Sequence, residues 1–263
     1  MVQIFDQLKI DSEVDWTFKI SNAIEEAYKY RPFQKDIDSV KSILSVNRAK
    51  DLAKDIEDSY SKIAFSDVTK KFDMADIAQG HTAHLTTSDK YGNVVSLTQT
   101  LGPNMGSKVV TKGLGFLYNV TMGPYLGGYL GEDKPGDRAS SHISPTIFTK
   151  NKQVVLALGA AGGNKIPVAI NQVAYRYLKQ NLPLSEALFM PRVYKYDSPI
   201  YIERHIGLLG FNDSDIYIKS KNIERIVDMG YFGRVHAIAL DSINRRWIGA
   251  ADKDWEGSVS NFE

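Results

Sequence analysis

The chain has 263 residues, with 32 basic and 31 acidic side chains, 43% hydrophobic and 24% charged residues, and no cysteine. That balance belongs to a folded globular protein, removes thiolate and disulfide chemistry, and gives no electrostatic case for nucleic acid or an anionic membrane as partner. No apolar run approaches the roughly 18 residues of a membrane span. Acidic residues in MVQIFDQLKIDSEVD, where a signal peptide needs basic and then apolar ones, predict a cytoplasmic location.

Glycine divides the chain. Residues 1–79 contain none and a single proline, Pro32, while all 20 glycines and the other 8 prolines lie from Gly80 onward. Net charge changes at the same place, from 12 basic and 15 acidic side chains in 1–81 to 20 and 16 in 82–263. The first segment reads as helical. Trp16–Tyr30 carries Phe18, Ile20, Ala23, Ile24 and Ala27 at helical spacing and stops before Arg31-Pro32. Two polar helices are expected around 36–45 and 47–56.

From residue 83 the period changes to two. The stretches 83–88 and 93–100 flank Asp89-Lys-Tyr-Gly92, a hairpin signal. A three-residue loop Lys90–Gly92, with Gly92 left-handed, sets Thr82 opposite Thr100 and Leu85 opposite Leu97. One face then carries Thr82, His84, Thr86, Ser96, Thr98 and Thr100, and the other Ala83, Leu85, Val95 and Leu97. On composition alone this is a half-buried strand pair with threonines in a favoured setting. A second hairpin is expected from 146–148 to 154–158. Gly162-Gly163 then opens a helix to about Gln180, with Ile166, Ala169, Val173, Ala174 and Leu178 inward. Strands follow at 200–203 and 236–240. Paired strands, a long helix and more strands predict an α+β layer fold.

The turn Gly159-Ala-Ala-Gly162-Gly163 leads from a strand into a helix, so backbone N–H groups and the positive helix end converge there. That geometry suits a tight turn, an oxyanion hole or a phosphate loop, although Lys165 fails the Walker spacing. His84, His142, His205 and His236 show no metal-binding spacing, and no metal site is expected. His236, in Val-His-Ala-Ile, reads as a satisfied core residue.

The run Gly80-His-Thr-Ala-His-Leu-Thr-Thr-Ser-Asp-Lys-Tyr-Gly-Asn-Val-Val-Ser-Leu-Thr-Gln-Thr100 resembles the start of the small subunit of γ-glutamyltransferases, which are N-terminal-nucleophile hydrolases. The resemblance continues through Gly106-Ser107, Gly115–Asn119, Met122, Ser140–Thr146, Leu158–Gly163, Pro191-Arg192, Gly249–Asp252 and Gly257. Ile20–Arg31 is similar to a helix late in the large subunit. The resemblance implies a four-layer αββα sandwich represented only in part: 1–81 as the helical tail of the large subunit and 82–263 as the small-subunit catalytic region.

It also implies chemistry. The chain would cut itself between His81 and Thr82, freeing an α-amino group that activates the Thr82 hydroxyl. Thr100 would support the nucleophile, Gly162 and Gly163 would form the oxyanion hole, and Ser140 and Ser141 would hold the donor α-carboxylate. No cofactor is implied. The substrate would be a γ-glutamyl amide such as glutathione, and a separate polypeptide would supply the upstream half that family members possess. Where glutamyl-specific members carry Asn, Gln and Asp-Asp for the donor amine, this chain has Gly102, Thr121 and Gly123-Pro124. An acylase for a donor lacking that amine, or a non-catalytic subunit, is the alternative.

Overall fold

A computed structural model describes residues 1–31, 37–61, 82–121, 136, 141–196, 200–203, 231–241, 243–252 and 257–261, with backbone alone for 223–226. Helices α1 (Val2–Phe5) and α2 (Glu13–Asp15) come first. A π-helical turn (Trp16–Ile20) then runs into α3 (Ser21–Lys29), followed by α4 (Ile37–Ile43) and α5 (Val46–Ser61). Strands β1 (Thr82–Ser88), β2 (Val94–Thr100), β3 (Thr146–Lys150) and β4 (Gln153–Ala161) precede α6 (Ile166–Leu178) and α7 (Leu184–Phe189). The last strands are β5 (Val193–Tyr194), β6 (Ile200–Glu203), β7 (Ile223–Ile226), β8 (Arg234–Asp241) and β9 (Arg246–Ala251).

These elements form two compact units, 1–74 with 191–228, and 75–190 with 229–263. Compactness therefore does not follow the division at 81/82: residues 191–228 belong with the N-terminal helices. In the first unit, Trp16, Phe18, Ile20 and Ile24 are buried with Ala49, Leu52, Ala53 and Ile56 of α5. The Ser12 hydroxyl caps α2 by accepting from the Asp15 N–H at 3.1 Å. Lys195, after β5, reaches back to Glu25 and Asn22, each at 2.8 Å. Arg192 and Glu203 form a buried two-pronged ion pair, with Nε and one terminal nitrogen each 2.7 Å from a carboxylate oxygen.

The second unit is layered. Strands β3-β4-β8-β9 form an antiparallel sheet. One face of it packs Leu156, Leu158, Ala160, Val235, Ala237 and Ala239 against Ile166, Ala169, Ile170 and Val173 of α6 and against α7. The hairpin β1–β2 lies on the sheet as a separate two-stranded layer, and Ser96 donates to the Leu158 carbonyl at 3.1 Å. The α6 stripe expected from sequence is buried, apart from Leu178, which is only partly covered. Helix, sheet and hairpin make three stacked layers of an α+β fold.

The hairpin register is the one its loop chemistry predicted: Thr82 faces Thr100, Leu85 faces Leu97, and Gly92 has φ +86°. Its hydroxyl face turns inward. His84 and Thr98 are buried, whereas Leu85, Val95 and Leu97 are exposed. The usual rule, apolar side to the core, is inverted here.

Candidate active site

The hairpin brings two of the expected site residues together. At the open end of the hairpin, Thr82 Oγ1 donates to Thr100 Oγ1 at 3.2 Å. Thr100 Oγ1 in turn accepts from the Gly102 N–H at 3.0 Å. The second hydroxyl is thereby fixed from behind and presented to the first. Both threonines are half-buried, so the pair is held without being sealed off.

The lie of the hairpin on β4 follows from two contacts. The Thr86–Ser96 level touches Leu158 through the Ser96 hydroxyl, and the next inward level, His84–Thr98, sits on Gly159. Moving along β1 toward its start therefore moves along β4 toward its end. Thr82 and Thr100, one level further, are directed to the end where β4 passes into Gly162-Gly163. Antiparallel pairing of Thr146 with Leu158 brings the start of β3, and hence the segment after Ser141, to that same end.

Gly162 has φ +139° and Gly163 φ +60°. A Cβ on Gly162 would lie 2.7 Å from Gly233 Cα, so both its conformation and its closeness to the next strand's entry demand glycine. Gly163–Lys165 form one 3-10 turn, with the Lys165 N–H on the Gly162 carbonyl at 3.1 Å, and α6 follows with proline in its first turn. The positive end of a 13-residue helix thus abuts the glycine pair. The Lys165 side chain is buried, its Nζ 4.3 Å from the Tyr231 ring centroid.

Two histidines lie beneath the threonines. His84 Nδ1 is 2.7 Å from Thr98 Oγ1. His236 on β8 donates from Nδ1 to the His84 carbonyl at 3.0 Å; it is half-buried and lines a cavity, and so is not the core residue that its sequence context suggested. Burial pushes the His84 pKa down to about 4; the charge of His236 adds to this, and a backbone hydrogen bond at Leu97 partly opposes it. His84 is therefore neutral at ordinary pH. In the sequence, His84 belongs to the hydroxyl face and no motif assigns it a role. The available signal was its position two residues after Thr82, opposite another hydroxyl.

The other predicted residues are placed less completely. Ser141 Oγ accepts from the Ile143 N–H at 3.1 Å. Ser140, His81, Gly123 and Pro124 lie outside the described residues. Thr121 bonds its own loop, donating to Asn119 Oδ1 at 3.2 Å. A cavity of about 680 Å³ opens beside the other end of β1, lined by Ser88, Trp247 and Val259 among others. His84 and His236 also line it, but none of Thr82, Thr100, Gly162 and Gly163 does, so it lies apart from the threonine pair. Among the described residues no cluster of His, Asp and Glu is arranged to hold a metal, and no helix is long and apolar enough to cross a membrane.

Comparison with known proteins places the chain in a family. The gamma-glutamyltranspeptidase family model matches residues 4–262. The chain belongs to the gamma-glutamyltranspeptidase family. It is 34% identical over 176 residues to the glutathione hydrolase proenzyme of Pseudomonas aeruginosa, a match covering 61% of this chain and 31% of the relative. The chain thus spans about a third of the length of the curated relatives it matches. Among solved structures, the gamma-glutamyltranspeptidase of Pseudomonas nitroreducens complexed with L-DON aligns at 30% identity and TM-score 0.55. That alignment covers 68% of this chain and 99% of that one. Cephalosporin acylase of Bacillus halodurans aligns over 99% of this chain and 48% of its own at TM-score 0.71; at 21% identity it speaks for the fold alone. The α+β layers described above are part of this family's N-terminal-nucleophile hydrolase fold.

Proposed function

We propose that this chain carries the nucleophile half of an acyl-transfer enzyme acting on γ-glutamyl amides such as glutathione. The observation that carries the reading is the Thr82–Thr100 hydroxyl pair at the end of the hairpin, in a family whose named relatives include glutathione hydrolase proenzymes. "Proenzyme" also supports processing between His81 and Thr82.

In this reading the Thr82 hydroxyl attacks the His81 carbonyl, the peptide shifts to an ester, and water hydrolyses it, leaving a free α-amino group on Thr82. Such an amine has an unperturbed pKa of about 7.7–8.0, close to working pH. It then takes the hydroxyl proton as Oγ1 adds to the γ-glutamyl carbonyl, and gives that proton to the departing amine. The tetrahedral oxyanion lies against backbone N–H groups of Gly162 and Gly163, where the α6 end favours negative charge. Thr100 orients Oγ1, and Ser140 and Ser141 hold the donor α-carboxylate. Water or an acceptor amine releases the acyl group. A separate polypeptide supplying the upstream half completes the site.

Gly102 favours a second reading. The Gly102 N–H fixes Thr100, but glycine has no side chain with which to grip a donor amine, so a donor lacking the α-amine would fit. Steady-state rates on γ-glutamyl p-nitroanilide and glutaryl p-nitroanilide separate the two. Preference for the first supports the glutamyl reading, and preference for the second replaces it. Loss of both activities in Thr82→Ala is expected; full activity in that variant would refute the mechanism.

A further inference from the structure

The nucleophile and the oxyanion loop sit on different layers, so something must set the gap between them. Thr82 belongs to the hairpin, and Gly162 and Gly163 to the end of β4 in the sheet beneath. Sheets packed face to face are normally held about 10 Å apart by interdigitating side chains. At the level next to Thr82, one side only supplies that filling. The His84 imidazole points from the hairpin into the sheet, and the position facing it is Gly159. A Cβ placed on Gly159 would overlap the imidazole at Cε1, Nδ1 and Nε2. The ring therefore rests on bare backbone.

It is also tied in place. Nδ1 bonds Thr98 across the hairpin at 2.7 Å. The His84 carbonyl accepts from His236 Nδ1 at 3.0 Å, and His236 is the register partner of Gly159 on the neighbouring strand. One residue thus touches β2 with its side chain, β8 with its carbonyl and β4 with its ring. His84 Nε2 is buried with no hydrogen-bond partner among the described residues. At about 3.3 Å per residue, Thr82 is some 7 Å from His84 along β1, and Gly162 is three residues on from Gly159.

We propose that His84 and Gly159 act together as the spacer that sets the distance from the Thr82 hydroxyl to the Gly162–Gly163 oxyanion donors. They are positioning residues that touch no substrate. The inference rests on the acyl-transfer reading above. A methyl group added at Gly159 lifts the hairpin off the sheet at that level; loss of the imidazole lets it settle closer. Either displacement moves Thr82 against a loop held by other contacts. Misplacing a catalytic group by about 1 Å costs on the order of 10²-fold in rate.

The test measures kcat and KM for γ-glutamyl p-nitroanilide with Gly159→Ala, His84→Ala, His84→Asn and the Gly159→Ala/His84→Ala double variant, each in the enzyme isolated with whatever partner it holds. We expect kcat to fall by roughly 30–100-fold in Gly159→Ala and His84→Ala, with KM changed less than about threefold. The residual kcat of the double variant should exceed the product of the two single variants' residual fractions by at least about tenfold, because each change relieves the other. His84→Asn keeps a polar atom toward Thr98 and should retain more activity than His84→Ala. Unchanged kcat in a folded Gly159→Ala, or singles whose effects simply multiply, overturns the proposal. If Gly159→Ala does not fold, His84→Ala against His84→Asn decides, and equal kcat in those two overturns it. Full activity in Thr82→Ala instead removes the acyl-transfer reading, and the spacer falls with it.

Discussion

Acidification should loosen this protein through His84 before its carboxylates matter. A free histidine protonates near pH 6.5, whereas burial between hairpin and sheet lowers His84 to about 4. The folded state resists the proton and the unfolded state accepts it, so the stabilisation is fully present above pH 6.5 and drains away as pH falls toward 4. A gap of about 2.5 units corresponds to roughly 3 kcal/mol at most. Between about pH 7 and pH 4.5 the residue should cost about 2 kcal/mol of unfolding free energy, since the loss is incomplete at 4.5. Urea denaturation of wild type and His84→Asn at pH 7, 5.5 and 4.5 measures it, with the wild-type midpoint falling more steeply than the variant's. Parallel pH dependence in the two proteins, or an NMR titration of His84 centred near 6.5, would refute the reasoning.

Three further outcomes follow from packing and hydrogen bonding. Leu158→Ala removes a fully buried side chain between β4 and α6 and should lower stability by about 2–5 kcal/mol in urea denaturation. Arg192→Ala takes the guanidinium away from the buried Glu203 carboxylate in the first unit and should cost about 3–5 kcal/mol, while Arg192→Met with Glu203→Leu should cost clearly less. Thr100→Val deletes the hydroxyl that receives the Thr82 and Gly102 hydrogen bonds, and kcat on a γ-glutamyl anilide should drop about 10–100-fold with little change in KM.

The hairpin was readable because its chemistry is local. A glycine suited to a left-handed position and an alternating hydroxyl set fix the register over 19 residues, and the Thr82–Thr100 pair follows directly. The α6 stripe and the glycine pair before it were readable for the same reason. What escaped depends on distant partners. Threonines and a histidine facing inward, with leucines outward, run against the hydrophobic pattern, and only the sheet beneath explains them. The match of His84 to Gly159 links residues 75 positions apart. Residues 191–228 join the N-terminal helices through contacts such as Lys195 with Glu25, which no local signal announces.

The central claim is that Thr82 becomes a chain terminus and a nucleophile. Its most direct test is the intact mass, under denaturing conditions, of the protein isolated from its native cells. Two polypeptides are predicted, one ending at His81 and the other beginning at Thr82, and a single uncut chain for Thr82→Ala. An uncut wild-type chain, or a cut at any other bond, would contradict it.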